Sequence, residues 1–305
     1  MHLEGVIVCV NYSDFLAHTL PHNKHQFDHL VVVTSHMDED TKLICKYHNV
    51  QCIETDKFYD NGDVFNKGAG INEGLKHLSC DGWVLHMDAD IYLPPLTRTT
   101  LNNLPLDSLK IYGCDRLMCP SYDEWIEFIS NPREIHSDWT FVHSTAFPVG
   151  SRIVDYNGYH KGWSPIGFWQ LWNPKKSKIK KYPETHGYCD RTDVLHSKKF
   201  DRAYRELLPE IVVIHLDSEG NNYVMGINWS GRKTAYFGPS KIQPNLVKSN
   251  TSKNLFSKIK KTQHNIIKSK YRTSKISFLQ FLLKPVKLVI FQIKKLIKFI
   301  TRSKT

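Results

Sequence analysis

Two carboxylates one residue apart, Asp88 and Asp90 in His86-Met87-Asp88-Ala89-Asp90-Ile91, follow the apolar run at residues 83–87. In an extended chain positions i and i+2 lie on one side, so both can face one hard cation, which takes oxygen ligands. A divalent ion held there would bridge a diphosphate. The same pattern also serves as a polar turn, while the missing D-x-D-x-D-G loop excludes an EF-hand. His215 ends a second apolar run, 211–214, where a buried imidazole is either satisfied by hydrogen bonds or a metal ligand. Asp190 and Asp193 stand where a helical stretch begins, and acids there cap a helix and favour its positive end. Arg232 and Lys233 lie in a loop-like segment and suit a lid that closes over a diphosphate. Residues 156–172 combine Trp163, Phe168, Trp169 and Trp172 with Gly158, Gly162 and Gly167. Aromatic faces stack on sugar C–H surfaces and also build cores, and Phe168 or Trp169 is expected in the core.

These residues need a frame. Apolar, β-branched runs at residues 6–10, 30–33, 50–53 and 83–87 read as buried strands, separated by helical stretches at 14–26, 38–48 and 66–78. Strands alternating with helices predict a parallel sheet covered on both faces, and such sheets bind ligands beyond the carboxyl ends of their strands. Beyond residue 93 the pattern loosens. A strand at 110–114, a helix at 192–205 and a strand at 211–216 are the clearer signals, with a loop-like segment at 220–238.

The chain of 305 residues carries a net charge of +11, which suggests a nucleic-acid partner until it is divided. Residues 241–305 hold 17 of the 41 Lys and Arg and no acid, which leaves 24 basic against 30 acidic residues, or −6, for residues 1–240. The positive excess belongs to a tail. Seven scattered cysteines, none spaced C-x-x-C, predict neither a disulfide framework nor a zinc site and fit a reducing, cytoplasmic location. The first residues enter a strand-like run directly, without the pattern of a secretory signal.

The order strand, polar loop, Asn66-Lys67-Gly68-Ala69-Gly70-Ile71-Asn72-Glu73-Gly74, helix, strand, Asp88-Ala89-Asp90 resembles the nucleotide-binding half of GT-A fold glycosyltransferases, particularly the family 2-like group. The likeness is strongest over residues 4–95 and resumes over 192–234. It implies an α/β fold with a GT-A-like, Rossmann-type, mostly parallel central sheet flanked by helices over residues 1–240. Residues 1–95 would bind the nucleotide sugar and 96–240 the acceptor. By the same resemblance Asp88, Asp90 and His215 would hold Mn2+ or Mg2+. Asn11, Tyr12 and Thr34 would lie near base and ribose, where Asp60 and Asp63 also reach or simply form a turn. Lys67 and Arg232 would face the donor diphosphate, and Trp163, Trp169 and Trp172 the acceptor. Asp193, or failing it Asp190, would be the general base. The implied reaction moves a hexosyl or N-acetylhexosaminyl group from a nucleotide sugar, expected to be a UDP-sugar, to a hydroxyl of a glycan or glycolipid, with inversion. Two rivals share these features: a nucleotidyltransferase, whose glycine-rich basic loop after the first strand is missing at Asn11-Tyr12-Ser13-Asp14, and an inactive carbohydrate- or membrane-binding protein.

In the tail, residues 276–300 include Lys284, Lys287, Lys294, Lys295 and Lys298, each costing ~2.5–3.5 kcal/mol at the centre of a membrane span. Wound at about 100° per residue, these lysines and Arg302 fall within about a 100° arc. Leu282, Val286, Val289, Ile293, Leu296, Ile297 and Ile300 occupy the other side. That division predicts a basic amphipathic helix on an anionic membrane surface through residues 276–302, peripheral to the inner face. An oligomerisation helix is the alternative, and the long apolar face argues against a nucleic-acid arm.

Overall fold

The computed structural model describes residues 1–63, 65–119, 121–132, 165–184 and 192–216. Of the two units into which the chain divides, 1–249 and 250–305, only the first contains described residues. The chain begins with β1 (Leu3–Val8), α1 (Ser13–Asn23), β2 (His29–Thr34), α2 (Glu39–His48) and β3 (Gln51–Glu54). It continues through α3 (Lys67–Leu75), β4 (Trp83–Asp88), the short β5 (Ile91–Tyr92), α4 (Thr97–Asn103), β6 (Ile111–Cys119) and α5 (Tyr122–Ser130). Beyond residue 165 come β7 (Trp169–Trp172), α6 (Pro174–Ser177), α7 (Thr192–Lys198) and β8 (Arg205–Leu216).

Among the described residues one eight-stranded sheet takes all the strands, in the order β3-β2-β1-β4-β7-β6-β8-β5. The first four run parallel, with Val8 level with Val33 and Asp88, so their carboxyl ends form one edge. β1 is buried throughout and β4 as far as Met87, with α3 packed against β1 and β2 and with β4 enclosed between β1 and β7. Val6, Val31, Val33, Ile71, Leu75 and Trp172 share one core cluster. The fold class implied by the family resemblance, an α/β sheet flanked by helices, is the one observed. Its sheet is mixed: β1–β2, β1–β4, β2–β3 and β6–β8 pair parallel, while β7 is antiparallel to both neighbours and β5 antiparallel to β8.

The second half departs from the sequence reading in specific places. Strand β6 runs through Asp115 and Arg116 to Cys119 and does not stop at Cys114. Helix α7 ends at Lys198, seven residues short of the expected end, and β8 starts at Arg205. Pro209 cannot donate to the β6–β8 ladder, and there the register slips: Cys114 faces Leu208, but Asp115 faces Val212. The bulge brings His215 level with Met118 and with Ile91 of β5. Among the described residues no helix is long and apolar enough to cross a membrane.

Candidate active site at the carboxyl edge of the sheet

Three groups of side chains gather at the strand ends. The first joins β4, α3 and α7. The side chain of Asn66 caps α3 by accepting the Ala69 N–H at 3.0 Å, which fixes Lys67 as the first helical residue. The Lys67 ammonium donates to Asp88 Oδ1 at the end of β4. Asp193, second residue of α7, accepts the Gly167 N–H on Oδ2 at 2.5 Å and the Val194 N–H on Oδ1 at 2.8 Å. A Cβ at position 167 would lie 2.9 Å from Asp193 Oδ2, so glycine permits that close approach. Burial pushes the Asp193 carboxyl above the ordinary carboxylate range. The Lys67 charge and the two N–H donors hold it back, and the Asp88 charge adds to the rise. A carboxyl raised in this way, facing a cation and seated at a helix start, has the properties of a general base.

The second group joins β5, β6 and β8. Asp90 and His215 are both buried, with Oδ2 3.1 Å from Nε2. Arg116 places Nη1 2.7 Å from His215 Nδ1 and its guanidinium 4.5 Å from the centre of the Phe168 ring. Because a guanidinium only donates, Nδ1 accepts and the ring proton sits on Nε2, facing Asp90. The Leu216 N–H donates to the Asp90 carbonyl at 2.9 Å and ties the end of β8 to the turn between β4 and β5.

Asp90 and His215 suit a divalent ion. The set of one carboxylate and one imidazole, already side by side, is a donor set that fits Mn2+. Binding through Nε2 would move the ring proton to Nδ1, so Arg116 would have to turn from the ring. Asp88, the expected partner ligand, is engaged by Lys67. Among the described residues no group of three His, Cys, Asp or Glu side chains is arranged to hold an ion.

The third group lies at the ends of β1 and β2. Buried Asp38 caps α2, its Oδ1 accepting the Thr41 N–H at 3.2 Å. Its Oδ2 takes the Asn11 N–H at 2.7 Å and the hydroxyls of Thr34 at 3.1 Å and Thr41 at 2.7 Å. Burial raises the Asp38 carboxyl and these four bonds oppose the rise. Asn11, at φ 60°, turns the chain away from β1. Thr34 is fully buried and spends its hydroxyl on Asp38, so its expected contact with a ribose is corrected to a supporting role. Tyr12 is partly exposed, with its ring 5.3 Å from Phe15. Asp63 accepts from Asn66 Nδ2 at 3.1 Å, beside the start of α3.

Trp169 and Trp172 are completely buried in β7, and Trp172 packs on Tyr182 and His196 with ring centres 5.5 and 4.9 Å away. Neither presents a face to a sugar, which corrects their expected acceptor role. Both faces of this strand are covered, so its aromatics belong to the core. Asp190, Trp163, Arg232, Lys233 and the segment 276–302 lie outside the described residues. Sequence reasoning missed Asp38, Arg116 and Gln170. Each left a trace: an acid three positions before Thr41 at a helix start, a charge inside a strand, and one amide within Phe168-Trp169-Gln170-Leu171-Trp172.

Fold and site thus define an α/β protein with an acidic, lysine-bearing carboxyl edge. No protein-family model matches the chain, and no curated protein sequence matches it significantly. Among solved structures it is similar to glucosyl-3-phosphoglycerate synthase from Mycobacterium tuberculosis in complex with Mn2+, UDP-glucose and glycerol 3-phosphate. That match is 12% identical and covers 71% of this chain and 70% of that one, with a TM-score of 0.44. Mannosyl-3-phosphoglycerate synthase from Rubrobacter xylanophilus is 15% identical over 72% of this chain and 67% of its own, with a TM-score of 0.45.

Proposed function

We propose that the chain is a metal-dependent glycosyltransferase that moves a sugar from a nucleotide sugar, a UDP-sugar by preference, to a hydroxyl of a glycan or glycolipid with inversion. One observation carries this reading: Asp193, its carboxyl raised by burial, shares the carboxyl edge of the sheet with the Lys67–Asp88 pair. In this reading Asn11, Tyr12 and Asp63 line the nucleotide end and Lys67 meets the diphosphate, exchanging Asp88 for a phosphate oxygen. Asp90 and His215 hold the divalent ion, whose chemistry when bound is to neutralise charge on the departing diphosphate. Asp193 takes the proton of the acceptor hydroxyl, a role that requires it to be ionised and within hydrogen-bond reach of that oxygen. Residues 241–305 attach the protein to an anionic membrane surface.

The test is a panel of nucleotide sugars screened for Mn2+-dependent release of nucleotide, with Asp90→Asn and His215→Ala alongside. Turnover of at least one sugar by the intact protein, lost in both variants, is the expected result. Folded protein that turns over no member of the panel, or that does so equally well in EDTA, overturns the reading.

A further inference from the structure

Gln170 is completely buried in β7, level with His86 of β4. A buried amide destabilises a fold unless its donors and acceptor are satisfied. Here Nε2 lies 2.8 Å from the Pro165 carbonyl, 2.8 Å from Ser197 Oγ and 3.0 Å from the Asp193 carbonyl, and Oε1 accepts the Tyr182 hydroxyl at 2.5 Å. The Ser197 hydroxyl donates to the same Pro165 carbonyl. Tyr182 is fixed in turn by Asn72 of α3, with its N–H on Asn72 Oδ1 at 2.8 Å and its carbonyl taking Asn72 Nδ2 at 3.1 Å. An unbroken chain of hydrogen bonds therefore runs from the helix that begins at Lys67, through Asn72, Tyr182 and Gln170, to the main chain of Asp193.

The amide grips both sides of one contact. Pro165 lies two residues before Gly167, whose N–H meets the Asp193 carboxylate, and Asp193 is held by its own carbonyl. We propose that Gln170, oriented by the Tyr182 hydroxyl, is a positioning residue that keeps the Asp193 carboxylate on the Gly167 N–H and in register with Lys67. This rests on the reading of Asp193 as general base. The charged groups that face Asp193 are Lys67 from α3 and Asp88 from β4. On the Gln170 side stand Tyr182 and His196, stacked 3.7 Å apart. Both are neutral near pH 7, because burial pushes the Tyr182 hydroxyl up and the His196 imidazole down to about 3. A main-chain N–H stabilises the anion, so loosening it lets burial raise the carboxyl further.

The measurement is a 13C NMR titration of side-chain carboxyls in the full chain, with the Asp193 signal identified by its loss in Asp193→Asn. Wild type, Gln170→Met and Tyr182→Phe are compared, and the pH profile of kcat is recorded on the same samples. Two or three N–H donors lower a carboxyl by about two pH units, so weakening one is expected to raise the Asp193 midpoint by about half a unit to one unit. The acid limb of kcat should move with it, and KM for the donor should not. Tyr182→Phe keeps the ring and its stacking, so it decides the matter if Gln170→Met fails to fold. A lower melting temperature with an unmoved Asp193 midpoint overturns the proposal, since that is the signature of a purely structural amide. A shifted midpoint without any nucleotide-sugar turnover leaves the positioning role standing and removes the transferase reading instead.

Discussion

At the scale of single residues, Asp193 sets function against stability. Its carboxyl is raised in the folded protein, so the folded state holds its proton to higher pH than the unfolded chain does. The sign follows: the group's contribution is fully present below the unfolded carboxyl value and declines as pH rises through the folded one. Asp193→Asn removes the buried charge yet can still accept the Gly167 N–H. Differential scanning calorimetry should therefore find the variant gaining in melting temperature over wild type as pH rises above the ordinary carboxylate range. The same change should leave donor affinity near normal and lower transfer by at least ~10²-fold, because it acts on the proton-transfer step. A variant that melts in parallel with wild type over that rise would show that the carboxyl is not raised. Near-normal turnover in Asp193→Asn, with collapse in Asp190→Asn, would hand the base's role to Asp190.

At the scale of elements, the start of α3 is positioned by close backbone approach. A Cβ on Gly68 would lie 2.0 Å from the Pro183 carbonyl oxygen and 2.9 Å from Thr192 Cγ2. Alanine at a helical glycine ordinarily gains about 1 kcal/mol in propensity. Overpacking costs about 1–3 kcal/mol, and a carbonyl fixed between Tyr182 and Glu184, both hydrogen-bonded to Asn72, cannot yield as a flexible side chain would. Gly68→Ala should therefore lower stability by up to about 2 kcal/mol in urea unfolding and weaken nucleotide-sugar binding by displacing Lys67. Unchanged stability would mean that the 182–184 segment moves away at no cost. The same elements show what sequence made legible. The four parallel strands were readable from their apolar runs, and Asp88, Asp90 and His215 stood out as polar residues where such runs end, whereas Lys67 and Asp193, at helix starts, were singled out by the family resemblance. What pattern reading could not supply was contact across distant segments. Charges at Asp115 and Arg116 suggested that β6 had ended, whereas Arg116 is buried against His215, 99 positions away. Phe168 and Trp169 lie in the core, as expected of one of them, but Trp172 looked available to a sugar until β7 proved to lie inside the sheet, between β4 and β6.

At the scale of the whole molecule, charge divides the chain more sharply than any motif does: −6 over residues 1–240 and +17 over residues 241–305. An acidic body gains nothing from an anionic surface, so any attraction must come from the tail. If residues 276–302 wind as a helix, the apolar side supplies burial at the headgroup boundary, and each lysine near an anionic surface adds ~1 kcal/mol. Several such lysines suffice for firm attachment at low ionic strength, and salt should weaken that part selectively because the Debye length shortens. Deleting residues 241–305 should then release the protein from anionic vesicles while leaving a folded body that still binds nucleotide sugar, since the candidate site residues described above all precede residue 217. Co-sedimentation of full-length and truncated protein with phosphatidylserine-containing and neutral vesicles, at low and high salt, reads each part separately. Retention of the intact chain on anionic vesicles alone, reduced by salt and lost on truncation, is the expected pattern. An intact chain that ignores anionic vesicles, or a truncated body that unfolds, would mean that the apolar face of the tail is covered by protein and not by lipid.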